Sequence, residues 1–255
     1  MTWIQNIENH PYKGMLVKIM ENPAIVCMAK DCGMDFLFYD LEHGVLTYRK
    51  LHDLMLFGNA IQLPSIVRVA QCGRKDISQI LDYGARGVMV PMIETRAQAE
   101  QLVAYSKYPP IGKRSYSGGA NTFYGPGGNH AKHMTEINAN TLSIVQIETC
   151  LGVANIDEIL SVEGIDAVIV GPCDLGISMN NPDNVMACEE LQMIQKVIDA
   201  AHAHHKYFGI IGGVALLQYF KQDIDFFLSA IDTNMIRNAM MQAVNTYEDM
   251  IGDLK

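Results

Sequence analysis

Short apolar segments alternate with amphipathic segments along most of the chain. Eight runs are rich in Val, Ile and Phe, and most of them are apolar at every position rather than at every second one. Such runs are typical of parallel strands that are covered on both faces. The predicted strands are Gly14–Ile19, Phe36–Tyr39, Ser65–Val69, Gly87–Met92, Leu142–Ile147, Ala167–Val170, Tyr207–Ile211 and Phe226–Leu228.

The segments between these runs have helical periodicity, as in the repeat of Leu51, Leu54 and Met55. The predicted helices are Pro23–Cys32, Thr47–Gly58, Asp76–Tyr83, Thr95–Ser106, Asn155–Ser161 and Glu189–His204. Four glycines stand just before or near the start of predicted strands, where we expect helix-terminating residues with positive φ. They are Gly33, Gly84, Gly164 and Gly209.

Alternating strands and helices imply a parallel sheet. About eight such units in 255 residues match a (β/α)8 (TIM) barrel formed by a single domain, residues 1–255. An open doubly wound sheet is the alternative, disfavoured because no Gly-rich dinucleotide turn follows the first strand. A long Gly-rich and aromatic segment without predicted secondary structure lies between Pro109 and Asn140. We expect it to cover the active site or to meet a neighbouring subunit.

Composition narrows the possible partners. The 28 acidic residues outnumber the 19 basic ones, for a net charge of −9, which argues against binding to nucleic acid or to a membrane surface. No apolar run is long enough to cross a bilayer, and the first residues lack the pattern of a signal peptide. The six cysteines fit neither a zinc motif nor a disulfide framework. We therefore expect free thiols and a cytoplasmic location.

Polar residues stand at the ends of four predicted strands, where TIM barrels carry their catalytic groups. They occur in the segments Asp40-Leu41-Glu42-His43, Val67-Arg68, Gln146-Ile147-Glu148 and Gly171-Pro172-Cys173-Asp174. A lone acid in such a place is usually a helix cap or a solvated turn residue. Together, Glu148, Asp174, Arg68 and His43 at four converging strand ends instead indicate an active site.

The residue types favour chemistry on a 2-oxo acid. Glu148 and Asp174 offer oxygen ligands suited to Mg²⁺ or Mn²⁺, which would supply Lewis-acid stabilisation of an enolate. Arg68 would add a positive charge beside the developing oxyanion, and His43 is the natural proton shuttle. The N–H groups that follow Gly171 and Pro172 would bind a carboxylate at a helix start. A Schiff-base mechanism is the weaker alternative, with Lys18 the nearest lysine.

An ordered set of motifs gives the chain a family resemblance. The motifs are Asp40-Leu41-Glu42-His43, Val67-Arg68, Leu81-Asp82-Tyr83-Gly84-Ala85, Val90-Pro91-Met92, Tyr108-Pro109-Pro110-Ile111-Gly112-Lys113-Arg114, Gln146-Ile147-Glu148 and Gly171-Pro172-Cys173-Asp174-Leu175. From about Gly14 to about Met240, the chain resembles the HpcH/HpaI aldolases. These are class II pyruvate aldolases that include 2-keto-3-deoxy sugar acid aldolases.

The resemblance implies a barrel of the phosphoenolpyruvate/pyruvate type and a divalent cation, Mg²⁺, Mn²⁺ or Co²⁺, bound by Glu148 and Asp174. It implies that Arg68 stabilises the oxyanion and that His43 is the acid/base, acting through a water. The residues that would contact the 2-oxo acid are Arg68, Gln146, Gly171, Pro172 and Cys173. Asp40 and Glu42 would orient waters and His43.

The resemblance also implies a homo-oligomer, a trimer or hexamer, in which the helix Arg237–Ile251 is exchanged between subunits. Asp82 would then have a catalytic role beside His43, but it precedes a strand and so lies at the opposite end of its own barrel from Glu148. It would have to act from another subunit or from a bent-back segment, and a purely structural role is the alternative.

The chain departs from the family pattern at Leu41, at Ser115-Tyr116-Ser117 and at Cys173 and Gly176. These changes affect the pocket for the acceptor aldehyde, so the physiological aldehyde is not predicted. Two other functions stay open. A CoA-ester lyase of the citryl/malyl type is disfavoured by the acidic surface. A diverged, non-catalytic barrel that binds a metabolite is disfavoured by the intact site residues.

Overall fold

The computed structural model describes residues 3–4, 10–125 and 128–252 of the chain. Its centre is a closed barrel of eight parallel strands, in which each strand pairs with the next and β8 pairs with β1. The strands are β1 (Tyr12–Val17), β2 (Phe36–Asp40), β3 (Ser65–Arg68), β4 (Gly87–Val90), β5 (Leu142–Ile147), β6 (Ala167–Val170), β7 (Tyr207–Ile211) and β8 (Phe226–Ile231). The predicted TIM barrel is confirmed, and the pairing of β8 with β1 excludes the open sheet.

Helices surround the barrel. They are α1 (Ala24–Asp31), α2 (Tyr48–Ala60), α3 (Arg74–Asp82), α4 (Arg96–Ser106), α5 (His130–Asn140), α6 (Cys150–Ala154), α7 (Ile156–Leu160), α8 (Pro172–Ser178), α9 (Cys188–Ala203), α10 (Val214–Tyr219) and α11 (Asp232–Gly252). In the part of the chain that the structure describes, no helix is long and apolar enough to span a membrane.

Both faces of most strands are buried, which explains the continuous apolar runs. In β2, Phe36 and Phe38 point into the barrel interior, whereas Leu37 and Tyr39 pack in the layer between the barrel and the helices. Gly209 was predicted to end a helix, and this prediction is wrong because it lies inside β7. A Cβ there would lie 3.0 Å from the Cβ of Phe226, so the glycine allows close packing. Gly33, Gly84 and Gly164 have positive φ, as predicted.

The segment between Pro109 and Asn140 contains a helix, contrary to the prediction. The side chain of Asn129 caps α5, but none of the eleven residues of α5 is buried, so the helix leaves no apolar stripe in the sequence. The first part of the segment packs on the outside of the molecule, where Tyr124 hydrogen-bonds His52 of α2 at 2.7 Å and Arg114 pairs with the end of α3. The described residues of this first part therefore do not cover the active site of their own chain, and contact with a neighbouring subunit stays a prediction.

Candidate active site

The buried pair of Asp40 and Arg68 joins the ends of β2 and β3, where the two residues are partners in the sheet. Arg68 donates from Nε to Oδ1 of Asp40 at 3.0 Å and from Nη2 to Oδ2 at 2.7 Å. Asp40 is completely buried and Arg68 nearly so. Burial alone would raise the pKa of Asp40, but the hydrogen bonds and charge of Arg68 lower it below its ordinary value. The guanidinium is therefore fixed in one orientation.

Asp40 also shapes the loop that carries the predicted acid/base. Its Oδ1 accepts the backbone N–H groups of Glu42 and His43 at 3.0 and 3.2 Å. The carboxylate of Glu42 lies 3.1 Å from Nη1 of Arg68 and 3.8 Å from Nε2 of His43. The His43 side chain is 57% exposed. It is thus held at the mouth of the site, with room for substrate on its open side.

Glu148, one residue beyond β5, is the most strongly perturbed acid of the site. It is 2% exposed. It accepts hydrogen bonds from Nε2 of Gln146 at 2.6 Å and from the backbone N–H of Met92 at 2.8 Å. Burial raises its pKa to about 7, with further contributions from the negative charges of Asp174 and Glu42, while the Met92 bond and Arg68 act in the opposite direction. A buried carboxylate with uncompensated negative neighbours favours a bound cation.

Two backbone features hold the Glu148 carboxylate in place. Met92 has φ of 54°, which is uncommon for a non-glycine residue and often marks a functional position. Gly171 lies so close that a Cβ there would be 2.5 Å from Oε2 of Glu148 and 2.8 Å from Nε2 of Gln146. Any side chain at this position would displace the carboxylate, which explains why a glycine stands at position 171.

Asp174 stands in the first turn of α8, directly after β6, which pairs with β5. Its negative charge helps to raise the pKa of Glu148, so the two predicted ligands lie near enough to interact electrostatically. Among the described residues, no group of three or more Asp, Glu, His or Cys side chains could hold an ion together. Mg²⁺ is commonly bound by one or two carboxylates together with water and substrate oxygens. The donor set fits such an ion.

Asp82 is not part of this cluster within one chain. It ends α3, and its Oδ1 accepts a hydrogen bond from Nη2 of Arg114 at 2.7 Å. The Arg114 side chain is buried, and its guanidinium lies 4.7 Å from the centre of the Tyr108 ring. Within a single chain this pair is structural, and the predicted action of Asp82 across a subunit interface stays a prediction.

Sequence reasoning missed two parts of the site. The N–H of Met92 has no signal in the sequence, because its orientation depends on the left-handed backbone. Asp232 follows β8 directly, but the predicted strand ended at Leu228, so this strand-end acid was overlooked. Its Oδ2 accepts the backbone N–H groups of Lys18, Ile19 and Met20 at 2.8 to 3.1 Å. It thereby fixes the turn after β1.

A closed barrel with a fixed guanidinium, two neighbouring carboxylates and a histidine at one end has the arrangement of a TIM-barrel active site. The chain belongs to the HpcH/HpaI aldolase/citrate lyase family, whose sequence model matches residues 14–239. The family resemblance seen in the sequence is thus confirmed.

Individual relatives agree with this assignment. The chain is 31% identical over 224 residues to the 2-keto-3-deoxy-L-rhamnonate aldolase of Escherichia coli (strain K12). The aligned region covers 87% of this chain and 83% of the relative. The crystal structure of an HpcH/HpaI aldolase from Desulfitobacterium hafniense DCB-2 matches with a TM-score of 0.89, 27% identity and 93% coverage of both chains. The citrate synthase SbnG matches with a TM-score of 0.87, 25% identity and 98% coverage of both. The protein is an aldolase, a carbon–carbon lyase.

Proposed function

We propose that the protein forms or cleaves a 4-hydroxy-2-oxo acid through the enolate of pyruvate, and that it uses a divalent cation held by Glu148 and Asp174. The 2-keto-3-deoxy sugar acid of the Escherichia coli relative belongs to this chemical class. The observation that carries the proposal is the buried carboxylate of Glu148, which is oriented by two hydrogen bonds, repelled by Asp174 and placed near Arg68.

The cation would supply Lewis-acid stabilisation of the enolate oxygen. Arg68 would place its guanidinium beside the same developing negative charge, in an orientation that Asp40 fixes before substrate binds. The Nη1 of Arg68 lies 3.4 Å from Oε1 of Gln146, which joins the guanidinium to the Glu148 side of the site. Gln146 would contact the 2-oxo acid, and the backbone of Gly171, Pro172 and Cys173 would receive its carboxylate.

His43 would exchange protons through a water between the reacting carbon chain and solvent. Its exposure at the mouth and the nearby carboxylate of Glu42 suit this role. In the cleavage direction, a base takes the proton of the 4-hydroxyl group and the C3–C4 bond breaks. An aldehyde leaves, and the remaining enolate takes up a proton at C3 to give pyruvate.

The decisive experiment follows the methyl protons of pyruvate in D₂O by NMR, because enolate formation alone exchanges them and no aldehyde is needed. We expect exchange that stops after EDTA treatment and returns with Mg²⁺, Mn²⁺ or Co²⁺. Exchange that survives complete chelation, or its absence in the metal-loaded protein, would contradict the proposal. Cleavage of a CoA thioester without exchange would instead favour the citryl/malyl type of lyase.

We further propose that the protein assembles as a trimer or hexamer and that α11 is exchanged between subunits. In its 21 residues only Asp232 is buried. Large apolar side chains remain exposed along it, namely Met235, Met240, Met241, Val244, Tyr247, Met250 and Ile251. An exposed apolar stripe of this length is typical of a surface that another chain covers. A cytoplasmic location stays a prediction from the sequence.

Subunit mixing tests whether Asp82 acts across an interface. We expect His43→Ala and Asp82→Asn to be nearly inactive alone. Mixed oligomers of the two should regain pyruvate proton exchange, because a chain with intact His43 can receive Asp82 from a neighbour. His43→Ala mixed with Arg68→Met is the matched control, since both defects lie at the same end of one barrel and no site is restored.

A mixture of the His43 and Asp82 variants that stays as inactive as the control would contradict action across subunits. Light scattering on the unmutated protein provides an independent check. A molar mass equal to that of one 28.3 kDa chain would contradict both the assembly and the exchanged helix.

A further inference from the structure

Lys18 extends the row of charged groups at the active-site end of the barrel. It follows β1 directly, and the pairing of Val17 with Tyr39 places it beside Asp40, which is itself opposite Arg68. Its Nζ lies 3.8 Å from Oδ2 of Asp40, the same oxygen that accepts a hydrogen bond from Arg68. A second positively charged side chain therefore lies at the site, two strands further from Glu148 than Arg68 is.

The backbone of Lys18 is held firmly. Its N–H donates to Oδ2 of Asp232 at 3.0 Å, together with the N–H groups of the next two residues. Its carbonyl oxygen accepts the N–H of Val45 at 2.9 Å, in the loop that follows His43. The backbone of Lys18 is therefore fixed between the start of α11 and the loop that carries His43.

The ammonium group has hydrogens left for a ligand. Its distance from Asp40 is longer than a hydrogen bond, and Asp40 already accepts four N–H groups, two from Arg68 and one each from Glu42 and His43. Among the described residues, Asp40 is the one acid that forms an ion pair with Lys18. The Lys18 side chain is 27% exposed, so it reaches solvent at the mouth rather than being closed inside the barrel.

We propose that Lys18 binds an anionic group of the acceptor aldehyde and makes the enzyme selective for carboxylated acceptors. The inference rests on the proposed function, in which pyruvate occupies the space between Arg68 and Glu148. The acceptor must then approach from the mouth, where Lys18 can meet its negative charge. In the addition, C3 of the enolate bonds to the aldehyde carbon and the aldehyde oxygen takes up a proton. Lys18 takes no part in bond making and only binds the distal carboxylate.

Matched pairs of acceptors test this selectivity. Glyoxylate is compared with glycolaldehyde, and succinate semialdehyde with butanal, each with pyruvate, and kcat/KM is measured for every acceptor. We expect the ratio of kcat/KM for the charged and neutral members of a pair to fall about 10- to 100-fold in Lys18→Met, since a hydrogen bond to a charged group is lost. Lys18→Arg should keep most of the preference. Lys50→Gln, on the exposed face of α2, is the matched control and should leave the ratio unchanged.

The ratio separates selectivity from general damage, because a disturbed Asp40 or Arg68 would slow both members of a pair alike. An unchanged ratio in Lys18→Met, with pyruvate exchange intact in the unmutated protein, would overturn the role of Lys18 alone. Trapping of pyruvate on Lys18 by borohydride would overturn it too, since the amine would then be a Schiff-base nucleophile. If the unmutated protein neither exchanges pyruvate protons nor adds any acceptor, both this inference and the proposed function fail.

Discussion

Replacing Glu148 with Gln is expected to lower the rate of pyruvate proton exchange and of aldol cleavage by about 10³-fold or more, because the enolate loses its main electrostatic stabilisation. The amide has nearly the same shape, and its oxygen can still accept the N–H of Met92. It cannot carry a negative charge, however, and its NH₂ group would face the Nε2 donor of Gln146. The substitution therefore removes a ligand while it preserves the packing of the site.

Metal binding shows whether the lost activity has this cause. Titration with Mn²⁺, followed by electron paramagnetic resonance, should give a Kd raised by at least about 100-fold in Glu148→Gln, since one of two protein ligands is gone. Glu158→Gln, in the exposed part of α7, is the control and should bind Mn²⁺ like the unmutated protein. A Glu148→Gln protein that retains both exchange and normal Mn²⁺ affinity would rule out the assigned metal site.

The barrel could be predicted because the burial of its strands leaves a recognisable hydrophobic pattern in the sequence. Strands with both faces buried need apolar residues at every position, and β2 and β6 show this directly. The predicted helices around them bury one face and keep a visible stripe. The helix α5 was missed because it buries no residue, so its place is set by the Asn129 cap and by neighbouring structure rather than by its own hydrophobic pattern.

The composition of the site was predictable, but not its geometry. Consecutive strand ends of a parallel barrel converge, so Asp40, Arg68 and Glu148 could be placed together from the order of the strands alone. The bidentate pair of Asp40 with Arg68 depends on sheet register, and the Met92 donor depends on a left-handed backbone. Neither the sheet register nor this backbone conformation can be recognised in a single sequence. Lys18 was noticed only as a weak Schiff-base candidate for the same reason, because its distance from Asp40 follows from the pairing of β1 with β2.

Arg68→Met is expected to destabilise the protein by about 3 to 5 kcal/mol at neutral pH, because it leaves the completely buried Asp40 without its main partner. It should also lower the turnover number by about 10²- to 10³-fold, as expected when an oxyanion-stabilising group is removed. Chemical denaturation at one fixed protein concentration measures the stability difference, since subunit association makes the midpoint depend on concentration.

The pH dependence of this difference identifies its source. In the unmutated protein the pKa of Asp40 is lowered, so the pair stabilises the fold above the unfolded-state pKa of about 3.9, and this stabilisation is lost as the pH falls through the folded-state pKa. In Arg68→Met, burial raises the pKa of Asp40, so the ionised carboxylate destabilises the fold until acid protonates it. Both effects make the stability difference between the two proteins shrink as the pH is lowered from 7. Asp40→Asn combined with Arg68→Met lacks this carboxylate, so its difference from Asp40→Asn alone should depend on pH less strongly, through Glu42 and Glu148 only. A gap between the unmutated protein and Arg68→Met that stays constant with pH would mean that the lost stability comes from packing rather than from the uncompensated charge of Asp40.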